Sequence, residues 1–217
     1  GVVLITTKKG SGKGKLDYGY SLGISNITKK YDLLNSDEFA AANPSQDRGG
    51  NTDWQNELFQ TAITQQHNLS FGGGDATGNY RFSLGYLDQE GIVLTSGIKR
   101  YSVGFNGGKV FINNKLNITS SVNLANTQDK GVGISENSGY TGDLLAAILK
   151  SNPTMPAYTG AAFTQPGITE PNPLAIVNYN KDRTNSLRAL GNIAAEYEIV
   201  SGLKFKTVLG FDKSFSS

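Results

Sequence analysis

GNYRFSLGYLDQEGIVLTSGIKRYSVGFNG, residues Gly78 to Gly107, decides how the rest of the chain is read. Tyr80, Phe82, Leu84 and Tyr86 alternate with Arg81, Ser83 and Gly85, and Tyr101, Val103 and Phe105 alternate with Ser102, Gly104 and Asn106. A strand turns successive side chains to opposite faces, so each run predicts a strand with one apolar and one polar side. Between them Asp88 to Gly97 collects turn formers and charge, which predicts an antiparallel hairpin.

The same period recurs outward from this stretch. Upstream, Leu16, Tyr18, Tyr20, Leu22 and Ile24 stand against Asp17, Gly19, Ser21 and Gly23, and Leu69 and Phe71 carry the pattern through His67 to Gly73. Downstream, Leu116, Ile118, Val122 and Leu124 stand against Asn117, Thr119, Ser121 and Asn123. Leu187, Ala189, Ile193, Ala195, Tyr197 and Ile199 then face away from Arg188, Asn192, Glu196 and Glu198. Leu203, Phe205, Leu209 and Phe211 close the series opposite Lys204, Lys206 and Asp212, giving about seven long strands.

Their connections differ sharply in length. Gly74 to Gly78, Lys109 to Asn114 and Val200 to Gly202 are short turns. Residues 26 to 66 and 126 to 185 are long and carry no alternation, the second holding five of the chain's 6 prolines. Helix-like pieces are expected at Ser36 to Ala42, at Asp53 to Thr61 and at Asp143 to Lys150. The second has Thr52 as N-cap, Gln55 completing a capping box, and Trp54, Leu58 and Phe59 on one side. Connections this long are commonly functional, and Trp54 is the candidate within them for ligand or partner contact.

Composition narrows the class by exclusion. No cysteine is present among the 217 residues, so thiolate metal sites, disulfide scaffolds and cysteine nucleophiles are ruled out. A net charge of +2 points to no nucleic-acid partner. No apolar run approaches the ~18 residues of a membrane helix, and no signal peptide stands at the front. The chain opens on Gly1 inside a strand-like run, Val2 to Thr7, and stops just after another, so both ends look cut. Gly12-Lys13 invites comparison with a phosphate-binding loop, but Gly14 follows where a hydroxyl is needed and Thr7 stands where the first glycine belongs. Residues Gly10 to Lys15 read instead as a connector.

A soluble β-rich binding or adhesion module uses the same alternation to build a core, so patterning leaves the solvent open. Three features favour lipid. The strands are longer than the soluble mode of about five to six residues. Their polar faces carry amides, hydroxyls and charges through the centre, as a wet lumen permits. Short turns at one end and long loops at the other, with Tyr18, Tyr20, Tyr80, Tyr86, Tyr101, Phe105 and Tyr197 as girdle candidates, are features of outer-membrane barrels. The fold class expected is all-β, a segment of a transmembrane antiparallel barrel with short helices in long outer loops. Tyr18, Tyr20, Leu22, Tyr80, Phe82, Leu84, Tyr86, Tyr101, Val103, Phe105, Leu116, Ile118, Val122, Leu203, Phe205 and Leu209 are then assigned to lipid. Arg81, Ser83, Asn106, Asn117, Thr119, Asn123, Arg188, Asn192, Glu196, Lys204 and Lys206 are assigned to the lumen.

Specific strings add to this pattern: GVVLITTKKG (1–10), LLNSDEFA (33–40), TDWQNELFQTA (52–62), QHNLSFGGG (66–74), NYRFSLGYLDQEGIV (79–93), SGIKRYSVGFN (96–106), LKSNPTMPAY (149–158), NPLAIV (172–177) and GLKFKTVLGFD (202–212). In their order and spread the chain resembles the SusC/RagA class of TonB-dependent outer-membrane transporters. The resemblance implies that residues 1–10 form the last strand of a plug domain. Residues 11–15 are then a linker, and 16–217 the first part of a barrel of about 22 strands. It implies import of a glycan or peptide nutrient across the bacterial outer membrane with a SusD-like surface lipoprotein. TonB would act through a plug segment not contained here. Seven strands cannot close such a barrel, so a fragment is expected, without transport of its own.

No cofactor, metal or catalytic group is expected. His67 is the chain's 1 histidine, and its neighbours Gln65, Gln66 and Asn68 read as strand entry rather than as a triad or zinc set. The acid pairs Asp88 with Glu90 and Glu196 with Glu198 read as solvated faces rather than as a glycosidase pair.

Overall fold

The computed structural model describes residues 10–132, 144–165, 167, 172–179 and 182–217. The expected strand Val2 to Thr7 lies outside them. Seven long strands form one antiparallel sheet: β1 (Gly12–Ser25), β2 (Ala62–Gly74), β3 (Gly78–Glu90), β4 (Gly97–Phe111), β5 (Leu116–Gly131), β8 (Asp182–Val200) and β9 (Leu203–Ser216). Spatial order follows chain order, each strand pairing with the one before it, and β1 and β9 stand at the edges. A two-residue hairpin, β6 (Tyr158–Thr159) with β7 (Ala162–Phe163), lies apart from the sheet.

The shortest of the seven, β2 and β3, have 13 residues each. At about 3.3 Å per residue such a strand is ~43 Å long, and at a tilt near 45° it rises ~30 Å, the thickness of a bilayer's hydrocarbon. The ladders extend further than the alternation suggests. β1 starts at Gly12, inside the stretch expected to link, and β2 starts at Ala62, ahead of His67. The hairpin turn is narrower than Asp88 to Gly97, because Asp88, Gln89 and Glu90 pair with Lys99, Ile98 and Gly97. Asp88 and Lys99 face each other across the ladder at 2.8 Å, so the charges that resembled a loop instead lengthen the strands.

Three short connections lie at one end of the sheet, and close backbone approach explains glycines beside them. A Cβ on Gly73 would meet the Gly14 backbone at 3.0 Å, and one on Gly10 would meet the Tyr80 carbonyl at 2.0 Å, where the incoming chain crosses β2 and β3. The turn after β4 holds Ile112, Asn113 and Asn114 at φ 54, 51 and 68. The two asparagines suit that left-handed region, whereas a β-branched Ile112 does not.

The long connections gather at the other end. α1 (Ser36–Ala42) matches its expected bounds, and Asn35 caps it, in a reciprocal box with Glu38. α2 (Trp54–Leu58) is shorter than expected, and Asp53 caps it by accepting from the Asn56 amide. Thr52, the expected cap, donates its hydroxyl to the Met155 carbonyl at 2.7 Å, and Gln55 exchanges bonds with the Tyr31 backbone. α3 (Leu144–Lys150) falls where the third helix is expected, its first expected residue, Asp143, lying outside the described ones. α4 (Pro173–Tyr179) has no counterpart among the sequence-based expectations.

Candidate functional site

Register gives the sheet two chemically distinct faces. Across the middle of one, Phe71, Phe82, Phe105 and Val122 are successive partners, and the next row is Tyr18, Leu69, Leu84, Val103 and Leu124. All sixteen residues assigned to lipid share this face, because the ladders continue through Leu116, Tyr197 and Phe205 and through Ile193 and Leu209. All eleven residues assigned to the lumen share the other, where Arg81, Asn106, Ser121 and Asn192 are successive partners.

The apolar face is bare within the chain. Leu84 is 52% exposed and Leu209 70%. Among the described residues no second sheet lies over it, since the remaining strands are the two of the small hairpin. Toward the long-loop end its side chains change in rank order. Aliphatic Leu84, Val103 and Leu124 give way to Tyr86, Tyr101 and Asn126, then to Asp88, Lys99 and Gln128, and last to Glu90, Gly97 and Lys130. His67 belongs to the aromatic row: its Nδ1 lies 2.8 Å from the Tyr18 hydroxyl, and its ring is 4.8 Å from that of Tyr20 and 6.0 Å from that of Tyr86. Its ring neighbours are tyrosines rather than acids.

The polar face is tied by charge and amide pairs. Arg188 grips Asp212 with two bonds, of 2.6 and 3.1 Å, and Lys204 bonds Glu196 at 3.1 Å. Arg81 donates to Ser70 at 2.7 Å, and the Ser121 hydroxyl to the Asn106 carbonyl oxygen at 2.7 Å. Such a wall is wettable over most of its area, with Leu87, Ile98, Leu190 and Val208 as apolar interruptions.

The long loops share a core of their own. Trp54 and Leu58 from α2, Val93 from the β3–β4 loop, Leu144 and Ile148 from α3, Met155, and Leu174 and Val177 from α4 form one buried cluster. Trp54 is 4% exposed, and its indole Nε1 donates to the Asn152 carbonyl at 3.0 Å, so it binds the loops together while also bordering the cavity between their helices. Backbone bonds stitch the same parts: Gly50 to Thr154 at 2.6 Å, Thr52 to Pro153 at 2.9 Å, and Leu94 to Leu58 at 2.9 Å. Asn172, fully buried, caps α4 through the Leu174 amide while its own amide donates to Ala157 and Thr164 carbonyls. Asn-Pro was the available signal for α4, a cap followed by proline at the first helical position. Beside the cluster, α1, α2 and α3 border a cavity of about 440 Å³ lined by Tyr31, Leu33, Leu34, Phe39, Leu149 and Lys150.

No family model matches the chain. Whole-sequence comparison does find relatives. The TonB-dependent receptor SusC of Bacteroides thetaiotaomicron is 31% identical over 232 aligned residues, which take in 91% of this chain and 22% of the relative. The chain belongs to the SusC/RagA type of TonB-dependent receptor. The TonB-dependent receptor P3 of Formosa agariphila is 29% identical over 97% of the chain and 22% of its own length. Among solved structures the RagAB peptide transporter superposes on 97% of the chain with a TM-score of 0.78 at 22% identity, and its 'closed-closed' state with a TM-score of 0.75. The chain therefore has the RagAB receptor fold over its described strands and spans about a fifth of the length of the curated relatives.

Proposed function

We propose that this chain forms part of the wall of a TonB-dependent importer, carrying a nutrient, oligosaccharide or peptide, across the bacterial outer membrane. Its apolar face meets lipid and its polar face lines the lumen. The observation that carries the reading is the sheet itself. A bare apolar face graded from aliphatic to aromatic to charged is stable where lipid covers it and costly in water. The short turns then lie at the periplasmic rim and the clustered loops outside the cell.

The loop cluster and the cavity of about 440 Å³ beside it form the surface offered to a SusD-like lipoprotein. Residues 1–10 are the end of a plug, and TonB acts through plug residues beyond this chain. The chemistry required of these residues is non-covalent: the wall holds a wet path, and the loops hold a shape. Deleting the parent gene, or TonB, should abolish uptake of a labelled nutrient, and TonB loss should leave surface binding intact. A parent protein that stays in the supernatant when membranes are pelleted would sink the proposal.

A further inference from the structure

The outermost row of the apolar face carries a pairing that does not stabilise the sheet alone. Lys130 of β5 and Arg183 of β8 are direct cross-strand partners, like charges on one face. Both are exposed, and neither joins a salt bridge among the described residues. The nearest acids on this face lie beside Lys130, and Asp88 feels its charge, but their hydrogen bonds go to other groups. Asp88 accepts from Lys99 at 2.8 Å and from the Tyr86 hydroxyl at 3.0 Å, and Glu90 accepts from the Ile63 amide at 3.0 Å. In the row below lie two amides, Gln128 and Asn185, themselves cross-strand partners. Two cations over two amides, two rows above the tyrosines, suit a tetrahedral anion lying at the edge of the hydrocarbon.

We propose that Lys130 and Arg183 hold the phosphate of an outer-leaflet lipid headgroup, clamping the wall to its lipid next to the loops. The inference rests on the membrane placement argued above. Lipid rather than free phosphate is the source, because the pair lies on the lipid-facing side, outside the lumen. With this anion in place, the like-charge pair becomes a two-pronged site.

The test uses the full-length parent receptor in phosphatidylcholine vesicles doped with diphosphorylated lipid A, or with its dephosphorylated form. Lipid retained after detergent extraction is counted by native mass spectrometry, and insertion is checked by heat-dependent gel mobility. The wild type should retain the phosphorylated lipid selectively, and K130Q/R183Q should lose about thirtyfold in retention, about fivefold for each charge. Arg183→Lys, which keeps the charge, should retain it, and so should Lys109→Gln, at the opposite end of the sheet. Equal retention by wild type and K130Q/R183Q, both inserted, would overturn the proposal, as would an equal loss in Lys109→Gln. Displacement by millimolar inorganic phosphate would overturn the lipid assignment. A wild type that fails to insert overturns the membrane placement and this inference with it, and the gel separates that failure from loss of lipid alone.

Discussion

Leu84 in the sheet and Leu58 in the loops are the same side chain in opposite circumstances: one is 52% exposed on a bare apolar face, the other 0% exposed inside a cluster built from three helices, the β3–β4 loop and Met155. A protein folding in water inverts this arrangement, keeping its longest regular elements around the core and its loops outside. Here the regular sheet has no core of its own on that face, and the loops have one. Under the proposed membrane placement the difference follows from which solvent each region meets: lipid would take over the burial of the strands, whereas loops in water must bury their own apolar residues to hold a shape.

The largest effect expected on that contrast is in the loops. Trp54→Ala removes the biggest side chain of the cluster and leaves the Asn152 carbonyl without its indole partner, costing about 3–5 kcal/mol of loop stability. In the intact parent, limited proteolysis should then cut within 26–61 and 144–179 while the strands stay protected. Cleavage unchanged from wild type would mean that the cluster does not hold the loops. Leu84→Arg tests the other half. In lipid it should cost about 2–4 kcal/mol, read as a lower urea midpoint for folding into vesicles. In water the same exposed substitution changes stability by about 0.5 kcal/mol or less, so a neutral result removes the lipid face. Smaller still is Asn35→Ala, which deletes the bond from the Glu38 amide to the Asn35 side chain, leaving the Asn35 amide to Glu38, for about 1 kcal/mol, and should loosen α1 without touching the sheet.

The two regions were unequally legible in the sequence, for a physical reason. Strand alternation is local: Tyr80, Phe82 and Leu84 declare a face within five residues, and every residue assigned to a face from sequence shares that face in the ladders. The strand ends were less legible, because Asp88 and Lys99 read as loop charges until their pairing across the ladder is known. The loop core was nearly invisible. Leu58, Val93, Leu144 and Leu174 come from segments far apart in the chain, and no short-range period links them. Thr52 illustrates the same limit, since it satisfies the cap pattern locally, yet its hydroxyl is taken by Met155. A distant carbonyl outcompeted a local rule, and Asp53, one residue on, took the cap.

The smallest expected effect lies at the opposite rim, where neither lipid nor a loop core helps. The turn between β2 and β3 is held by one side chain. Asp75 accepts from the Thr77 hydroxyl and amide, both at 2.7 Å, and from the Gly78 amide at 3.0 Å. These bonds favour the ionised carboxylate and hold its pKa below the usual aspartate value, the Thr77 hydroxyl contributing most and the two amides next. With the folded pKa depressed, the stabilisation is complete above the unfolded value near 3.8 and fades as pH falls through the lower folded one. Asp75→Asn should therefore abolish a pH dependence confined to strongly acidic solution and leave neutral behaviour close to wild type, because the group is fully solvated. The measurement is amide hydrogen exchange at Thr77 and Gly78 in the parent, compared between neutral and acidic pH after correction for intrinsic rates. Wild type should lose protection on acidification, and the asparagine variant should keep one level, close to the wild type's neutral value, at both. If the two proteins instead lose protection in parallel, the turn is held by the ladder bonds of Gly74 with Asn79 and not by the carboxylate. The short end of the sheet would then owe its order to the strands alone.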